Sequence, residues 1–290
     1  MKSNTLLGII AGLIAIFGAY FWEGGGSATL FMLPAMLIVF GGTLAAGFAG
    51  SSWDVFKNIP KVLRAAFFPR QYDVKKIINQ IVSFSAISRR EGILSLEDRL
   101  NKVEHPYMKK FFQACIDGAD QDTLMQIYEA EVNSISERHN TYITLFNKLG
   151  GYSPTMGIIG TVMGLIHTLA SAGSDPNILI QHIATAFIAT MWGILMANIV
   201  WLPIADKLLN LHNKEMFLLS VIIDGVRSVQ TGETPTVIQN KLASAFPLTI
   251  QEKITSVKPS TNANTTPVVD KTASSTNISI SNNPINETAS

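Results

Sequence analysis

The chain has 290 residues, a mass of 31.5 kDa and a formal net charge of +1 at pH 7. This near-neutral balance gives no indication of a nucleic-acid partner. The only cysteine, Cys115, excludes a disulfide within one chain and fits a reducing compartment.

Four charge-free apolar runs occupy residues 3–22, 28–50, 149–174 and 178–204. Each is long enough to cross a membrane as a helix, which takes about 20 residues, and the positive mean hydropathy of +0.27 argues against a soluble protein. The first run resembles a signal peptide, but the three runs that follow favour an uncleaved helix. We therefore predict an all-α membrane protein with four transmembrane helices.

The basic residues that flank the runs predict the orientation of the chain. The loops that hold Glu23 and Asp175 contain no lysine or arginine. Because positive residues are retained on the cytoplasmic side, both termini are expected to be cytoplasmic. The flanking basic residues follow the second and the fourth run: Lys57, Lys61, Arg64, Arg70, Lys207 and Lys214.

This topology divides the chain into five segments. Apolar residues at helical spacing, as at Ile77, Ile78 and Ile81, predict a helical cytoplasmic insert, and a long helix is expected to run from about residue 121 directly into the third span. The serine-, threonine- and asparagine-rich C-terminus is predicted to be disordered. The segments are transmembrane helices 1 and 2 at 1–50, the insert at 51–148, transmembrane helices 3 and 4 at 149–206, a cytoplasmic helical segment at 207–255 and the tail at 256–290.

The third and fourth runs each carry a face of small and hydroxylated side chains. Such faces let membrane helices pack closely, and a threonine hydroxyl often bonds to its own backbone, so tight packing is one interpretation and an ion path is the other. Positions that recur every three or four residues share a helix face. These positions are Pro154, Gly157, Thr161, Gly164 and Thr168 in the third run and Ala186, Thr190, Gly193 and Ala197 in the fourth.

Two prolines interrupt the backbone hydrogen bonding of these runs. Pro154 lies near the cytoplasmic start of the third span and Pro203 near the cytoplasmic end of the fourth. We expect them to face each other at similar depth, where freed carbonyl groups act as ligands or as a hinge.

Neither run contains a carboxylate, although ion carriers within membranes are usually ionisable side chains. His167 and His182 fall near the outer ends of the runs, and a role at a helix boundary or in subunit packing is favoured over a proton relay. If the protein moves ions, a partner supplies the carboxylate. No phosphate-binding loop, metal-ligand cluster or nucleophile with a nearby base indicates an enzyme.

The sequence resembles the flagellar stator subunits of the MotA/PomA type, in the MotA/TolQ/ExbB proton channel family. The resemblance covers most of the chain up to about residue 247. It is carried by five stretches that agree in order and spacing, at residues 38–43, 89–97, 151–165, 192–208 and 225–235.

This resemblance implies a bacterial inner-membrane protein that forms a homo-oligomeric ring, a pentamer, around two copies of a single-span MotB/PomB-like subunit whose aspartate carries the ion. Pro154, Gly157, Thr161 and Thr190 are then expected to line the ion route, and Pro203 to shape the conformational response. No cofactor is implied, and membrane lipid is the surrounding partner.

The same resemblance assigns Arg89, Arg90 and Glu97 to contact with the rotor switch protein FliG. The alternative is a solvated loop face, since exposed ion pairs contribute only about 0–1 kcal/mol. Two other functions are also compatible with the spans: a TolQ/ExbB-like energiser of envelope machinery, which usually has three spans, and a membrane scaffold that conducts nothing. Protons are favoured as the transported ion because Ala189 stands where sodium-type relatives often carry threonine, and sodium is the alternative.

Overall fold

The computed structural model describes residues 4–69, 72–170 and 176–255, and the predicted disordered tail at 256–290 lies outside them. Every regular element in the described residues is helical, which confirms the all-α prediction. Two short helical segments, Ser27–Leu30 and Ile93–Lys102, accompany nine helices. These are α1 (Asn4–Trp22), α2 (Leu33–Ala49), α3 (Trp53–Phe67), α4 (Val74–Glu91), α5 (Pro106–Ile116), α6 (Gln121–Ala170), α7 (Pro176–Gln230), α8 (Pro235–Ser244) and α9 (Leu248–Thr255).

Among the described residues, three helices, α1, α6 and α7, are long and apolar enough to cross a membrane. The helix α2 is apolar but shorter, so the predicted number of four spans stays a prediction. In the second run, the short helical segment Ser27–Leu30 precedes α2, which begins at Leu33. Pro34 occupies the first turn of α2, where a missing N–H costs no helical hydrogen bond.

The predicted long helix is confirmed: α6 is 50 residues long and begins at Gln121. Asp120 precedes it and accepts a hydrogen bond from the backbone N–H of Thr123 at 2.8 Å. The hydrogen bonds from Thr123 lower the pKa of Asp120, because they favour its ionised form. A capping carboxylate therefore marks the start of this helix.

The chain forms two compact units, and α6 and α7 contribute residues to both. The first unit comprises Met1–Pro69 and Glu137–His212. It has two apolar clusters, one built around Trp192 and one in which α3 packs against α6 and α7. The buried members of the second cluster are Leu145, Phe146, Leu149, Ile204 and Ala205.

The second unit comprises Arg70–Ser136 and Asn213–Ser290. Its core combines α4, α5, α8 and parts of α6 and α7, with Phe112 and Ile222 fully buried. Cys115 lies in this core, and burial raises the pKa of its thiol to about 11. Because the thiolate is the reactive form, this cysteine is chemically inert in the folded unit.

His105 is a second titratable group in this core. It is 4% exposed, and its ring lies 4.4 Å from the ring of Tyr72, measured between centroids. Burial lowers the pKa of His105 to about 4, because the charged imidazolium loses its hydration. The side chain is therefore neutral at physiological pH.

Candidate functional site

The small-residue faces of α6 and α7 lie against each other. A Cβ atom on Gly157 would lie 3.0 Å from the carbonyl oxygen of Ala189 and 3.1 Å from the Cα of Thr190. A Cβ on Gly193 would lie 2.7 Å from the carbonyl oxygen of Ser153 and 3.1 Å from the Cα of Gly157. Such distances leave no room for a side chain. The backbones of the two helices are therefore in direct contact at these two glycines.

This contact continues toward the C-terminal end of α6. Positions 160 and 164 are also glycines. A Cβ on Gly160 would lie less than 3.0 Å from the Cβ of Ala189, and a Cβ on Gly164 equally close to the Cβ of Ala186. The spacing of small residues thus predicted a real interface between the two helices. It did not single out Gly160, which lies outside the predicted positions.

Thr161 and Thr190 meet at this interface, and their hydroxyl groups are hydrogen-bonded to each other. The Thr161 hydroxyl oxygen also lies 3.1 Å from the carbonyl oxygen of Gly157 and 3.2 Å from that of Ala186. The Thr190 hydroxyl oxygen lies 3.4 Å from the Gly157 carbonyl oxygen. The two hydroxyl hydrogens therefore serve a group of four oxygen atoms, whose remaining lone pairs can accept further hydrogen bonds.

This oxygen group is uncharged, and its helices supply no charge nearby. Residues 149–170 and 176–205 contain no aspartate, glutamate, lysine or arginine. Hydroxyl and carbonyl oxygens can replace part of the hydration shell of a cation, but they do not neutralise it. The arrangement can line an ion path only if a carboxylate comes from elsewhere. The same hydrogen bonds also hold the helices together, by about 0.6 kcal/mol each.

The prolines lie at different depths, contrary to the expectation that they face each other. Position 150 of α6 packs against Leu202, next to Pro203, whereas the carbonyl of Ser153, next to Pro154, packs against Gly193. Because the two helices run in opposite directions, the prolines are offset along the helix axes by roughly two helical turns. The offset keeps their freed carbonyl groups apart.

A π-helical segment, Met196–Trp201, ends two residues before Pro203. Proline cannot donate the hydrogen bond that would continue the α-helical pattern, and a locally wider turn accommodates this loss. A second π-helical segment, Leu37–Gly41, lies within α2. Hydrophobic periodicity predicts neither segment, because both runs are apolar on nearly every side, so that a rotation of the helix face by one extra residue leaves no mark in the sequence.

His167 and His182 also meet at the α6/α7 interface, with ring centroids 4.3 Å apart. They lie beyond Gly164 and Ala186, near the end of α6. The contact joins the two helices, and His167 lies in the last turn of α6.

Trp192 connects several segments of the first unit through its side chain, and the sequence analysis did not identify this role. Its indole N–H donates a hydrogen bond to the carbonyl oxygen of Leu30 at 2.8 Å. The rings of Phe17, Phe31 and Phe40 surround it, with centroids within 6 Å. A tryptophan in the interior of an apolar run needs an acceptor for its N–H, and this need is the signal that could have identified it.

A histidine pair lies before the apolar part of α6. The Nδ1 atom of His139 is 3.2 Å from the Nδ1 atom of His212 on α7. Burial, followed by the nearby His212 and Arg138, lowers the pKa of His139 to about 4. The His139 ring is therefore uncharged at neutral pH.

The charged residues assigned to the rotor contact lie in the second unit. Arg89 and Arg90 are exposed in the last turn of α4, and Glu97 is exposed in the segment Ile93–Lys102 that follows. The structure thus brings all three to neighbouring segments joined by a glycine with positive φ, Gly92. An exposed apolar side chain in the same segment, Leu94, was not predicted and is 67% exposed.

Two family models match the chain. Residues 99–220 match the MotA/TolQ/ExbB proton channel family, and residues 6–91 match the Motility protein A N-terminal model. The first match includes the α6/α7 interface with both threonines, and the second includes most of α1 and all of α2, α3 and α4.

Similar proteins extend over most of the chain. The uncharacterized protein YtxD of Bacillus subtilis is 33% identical over 240 residues, which cover 82% of this chain and 88% of that protein. Motility protein A of the same organism is 31% identical over 248 residues, which cover 85% of this chain and 92% of that protein. The solved flagellar MotAB stator complex from Bacillus subtilis matches with a TM-score of 0.81 and 31% identity, over 87% of this chain and 98% of that one.

Proposed function

The chain belongs to the MotA/TolQ/ExbB proton channel family, and we propose that its α6/α7 interface forms part of an ion route that drives rotation. The chain is a stator subunit of the bacterial flagellar motor. The Motility protein A N-terminal match at 6–91 and the similarity to the MotAB complex favour this function over a TolQ/ExbB-like energiser. The membrane-spanning character of α1, α6 and α7 fits both functions.

The observation that carries the ion route is the paired hydroxyl groups of Thr161 and Thr190. They lie in an interface that excludes side chains at Gly157 and contains no charge of its own. A route of this kind offers oxygen ligands and a hydrogen-bond path to a carboxylate supplied by a second subunit. Pro154 lines the same route, and Pro203 with its π-helical segment is the place where the helix can adjust.

The second subunit is a MotB-like protein with one span and a membrane aspartate. The similarity to MotAB complexes supports this partner. In the proposed assembly five copies of this chain form a ring around two copies of the partner. Ion binding to the aspartate removes a costly charge in the membrane, which shifts the partner relative to the ring and drives rotation.

The rotor end of the mechanism is the exposed surface of Arg89, Arg90 and Glu97, which contacts FliG. Their exposure supports this role, because side chains at an interface that forms and breaks at each step have to be accessible. The protein lies in the inner membrane, surrounded by lipid, with both termini in the cytoplasm. It needs no cofactor, and no enzymatic reaction is part of this function.

The transported ion is the proton, with sodium as the alternative. Ala189 packs directly against Gly160, so no third hydroxyl joins the oxygen group at this level. A smaller set of oxygen ligands favours proton transfer over partial dehydration of sodium. Swimming speed that depends on external sodium at fixed pH would overturn this assignment.

The test of the function is motility in a flagellated host from which the stator genes have been deleted. The host receives this chain and its MotB-like partner, with either the membrane aspartate of the partner or asparagine in its place. Rotation that requires the aspartate is the expected result. Verified co-assembly without any rotation would favour an envelope energiser or a scaffold.

A further inference from the structure

The helix α3 has an outer face that the proposed function leaves unused. Only residues 50–52 separate its start from the end of the apolar α2. Its inner face is anchored on the buried cluster of α6 and α7, so the orientation of the helix about its own axis is fixed. The anchoring side chains are Val55, Phe56, Ile59, Val62, Leu63 and Phe67.

The opposite face combines three cations with two aromatic side chains. Lys57, Lys61 and Arg64 are exposed, and the described residues contain no ion-pair partner for any of them. Trp53 at the start of the helix is 66% exposed, and Phe68 directly after its end is 75% exposed. At 100° per residue Trp53 and the three cations fall within an arc of about 80°, and Phe68 directly follows the last residue of the helix. We call this set of residues the cationic face.

We propose that the cationic face binds the anionic headgroups of phospholipids in the cytoplasmic leaflet. Its three cations carry the charge that complements a phosphate. Exposed aromatic side chains at both ends of a basic helix are typical of helices that lie in the membrane interface. The position directly after an apolar helix holds the face at headgroup level, where anionic lipid attracts basic side chains over roughly a Debye length.

Two other roles would use the same cations. In the first of these roles, the cations act during membrane insertion alone, where they keep this side of the chain in the cytoplasm. In the second role, the cations bind an acidic surface of another protein. The exposed Trp53 and Phe68 distinguish lipid from both, because insertion needs no aromatic residues and an acidic partner gains little from two separated rings.

The experiment measures lipid binding to the full-length chain, purified from membranes in mild detergent. Native mass spectrometry gives apparent dissociation constants for phosphatidylglycerol and for phosphatidylcholine. The wild-type chain is expected to bind phosphatidylglycerol more tightly, and this preference should decrease as salt is raised. Replacing all three cations (Lys57→Gln, Lys61→Gln, Arg64→Gln) should weaken phosphatidylglycerol binding by roughly fivefold per cation and leave phosphatidylcholine binding unchanged.

A matched control removes three cations from the other unit: Arg99→Gln, Lys102→Gln and Lys109→Gln. A charge-retaining variant, Lys57→Arg with Lys61→Arg and Arg64→Lys, tests the fold. Both should keep the preference of the wild-type chain. If the triple glutamine variant does not fold, two other measurements test the proposal. They are the salt dependence of phosphatidylglycerol binding to the wild-type chain and the phosphatidylglycerol affinity of the single variant Arg64→Gln.

Equal affinities of the wild-type chain for the two lipids would overturn the proposal and leave the cations a role in insertion alone. Unchanged phosphatidylglycerol binding in the triple variant would do the same. Loss of motility in the triple variant without any lipid preference in the wild-type chain would assign the cationic face to an acidic protein instead.

Discussion

The indole N–H of Trp192 donates to the carbonyl oxygen of Leu30 at 2.8 Å, and this hydrogen bond joins the segment before α2 to the first third of α7. Both residues are buried, at 6% and 1% exposure. Leu30 ends the short segment Ser27–Leu30, after which the chain turns into α2, so no helical N–H replaces the tryptophan as a donor.

Trp192→Phe is therefore expected to destabilise the protein. It keeps an aromatic ring among Phe17, Phe31 and Phe40 but leaves the Leu30 carbonyl without its donor, at a cost of about 1–3 kcal/mol. Denaturant unfolding of the full-length chain in detergent, followed by circular dichroism, measures the loss. Trp53→Phe is the control, since that ring is exposed and should change stability little. Equal stability of both variants would show that the hydrogen bond contributes nothing.

Gly193→Ala is expected to separate α6 from α7. A Cβ there would lie 2.7 Å from the Ser153 carbonyl oxygen, and backbone atoms cannot move aside as a flexible side chain can. Gly151→Ala on α6 is the matched control, because nothing lies within 4 Å of a Cβ at that position. Motility in the stator-deleted host should be lost with the first change and retained with the second. Full motility with both changes would mean that the helices tolerate a wider separation.

The sequence predicted which faces of α6 and α7 meet, because small residues at a spacing of three and four identify a helix face without reference to the fold. It did not predict which turn of one helix meets which turn of the other. That register depends on the packing of Gly157 on Thr190 and Gly193 on Ser153, and the expected pairing of Pro154 with Pro203 was wrong for this reason. The Trp192 hydrogen bond joins residues 162 positions apart, and no local pattern reports such a contact.

Thr161→Val should reduce ion-driven motility while the protein still assembles. Valine has nearly the shape of threonine but lacks the hydroxyl that bonds to Thr190, so the oxygen group loses a member without opening a cavity. Thr161→Ser restores a hydroxyl and is expected to recover much of the function. Swimming speed and the amount of chain in the membrane are measured together.

Thr168→Val is the control for the threonine pair. That hydroxyl bonds to the carbonyl oxygen of Gly164 on its own helix, at 2.8 Å, and takes no part in the pair. If Thr161→Val swims at the speed of the wild type, Thr161 serves helix packing only.

Arg89→Glu combined with Arg90→Glu should impair torque and leave membrane insertion intact, because both side chains are exposed and reversing them changes only the surface charge. Leu94→Ala is expected to weaken the same contact, since it removes exposed apolar area that the contact would bury. Torque on tethered cells measures both. Lys109→Glu, exposed on α5, is the control, and normal rotation in the arginine variant would refute the rotor contact.

His105 makes the stability of the second unit depend on pH. Burial lowers its pKa to about 4, against 6.5 in the unfolded chain, so the unfolded state binds a proton first as the pH falls. The contribution of the neutral, buried His105 side chain to the free energy of unfolding is present above pH 6.5 and is lost progressively as the pH falls toward 4. Between pH 7 and pH 5 the expected loss is about 2 kcal/mol. His105→Phe keeps a ring against Tyr72 but does not titrate, so its stability should fall less over this interval. Pulse proteolysis of the full-length chain in urea at both pH values measures the difference between the two proteins. Parallel losses in the wild type and the variant would show that other groups account for the pH dependence.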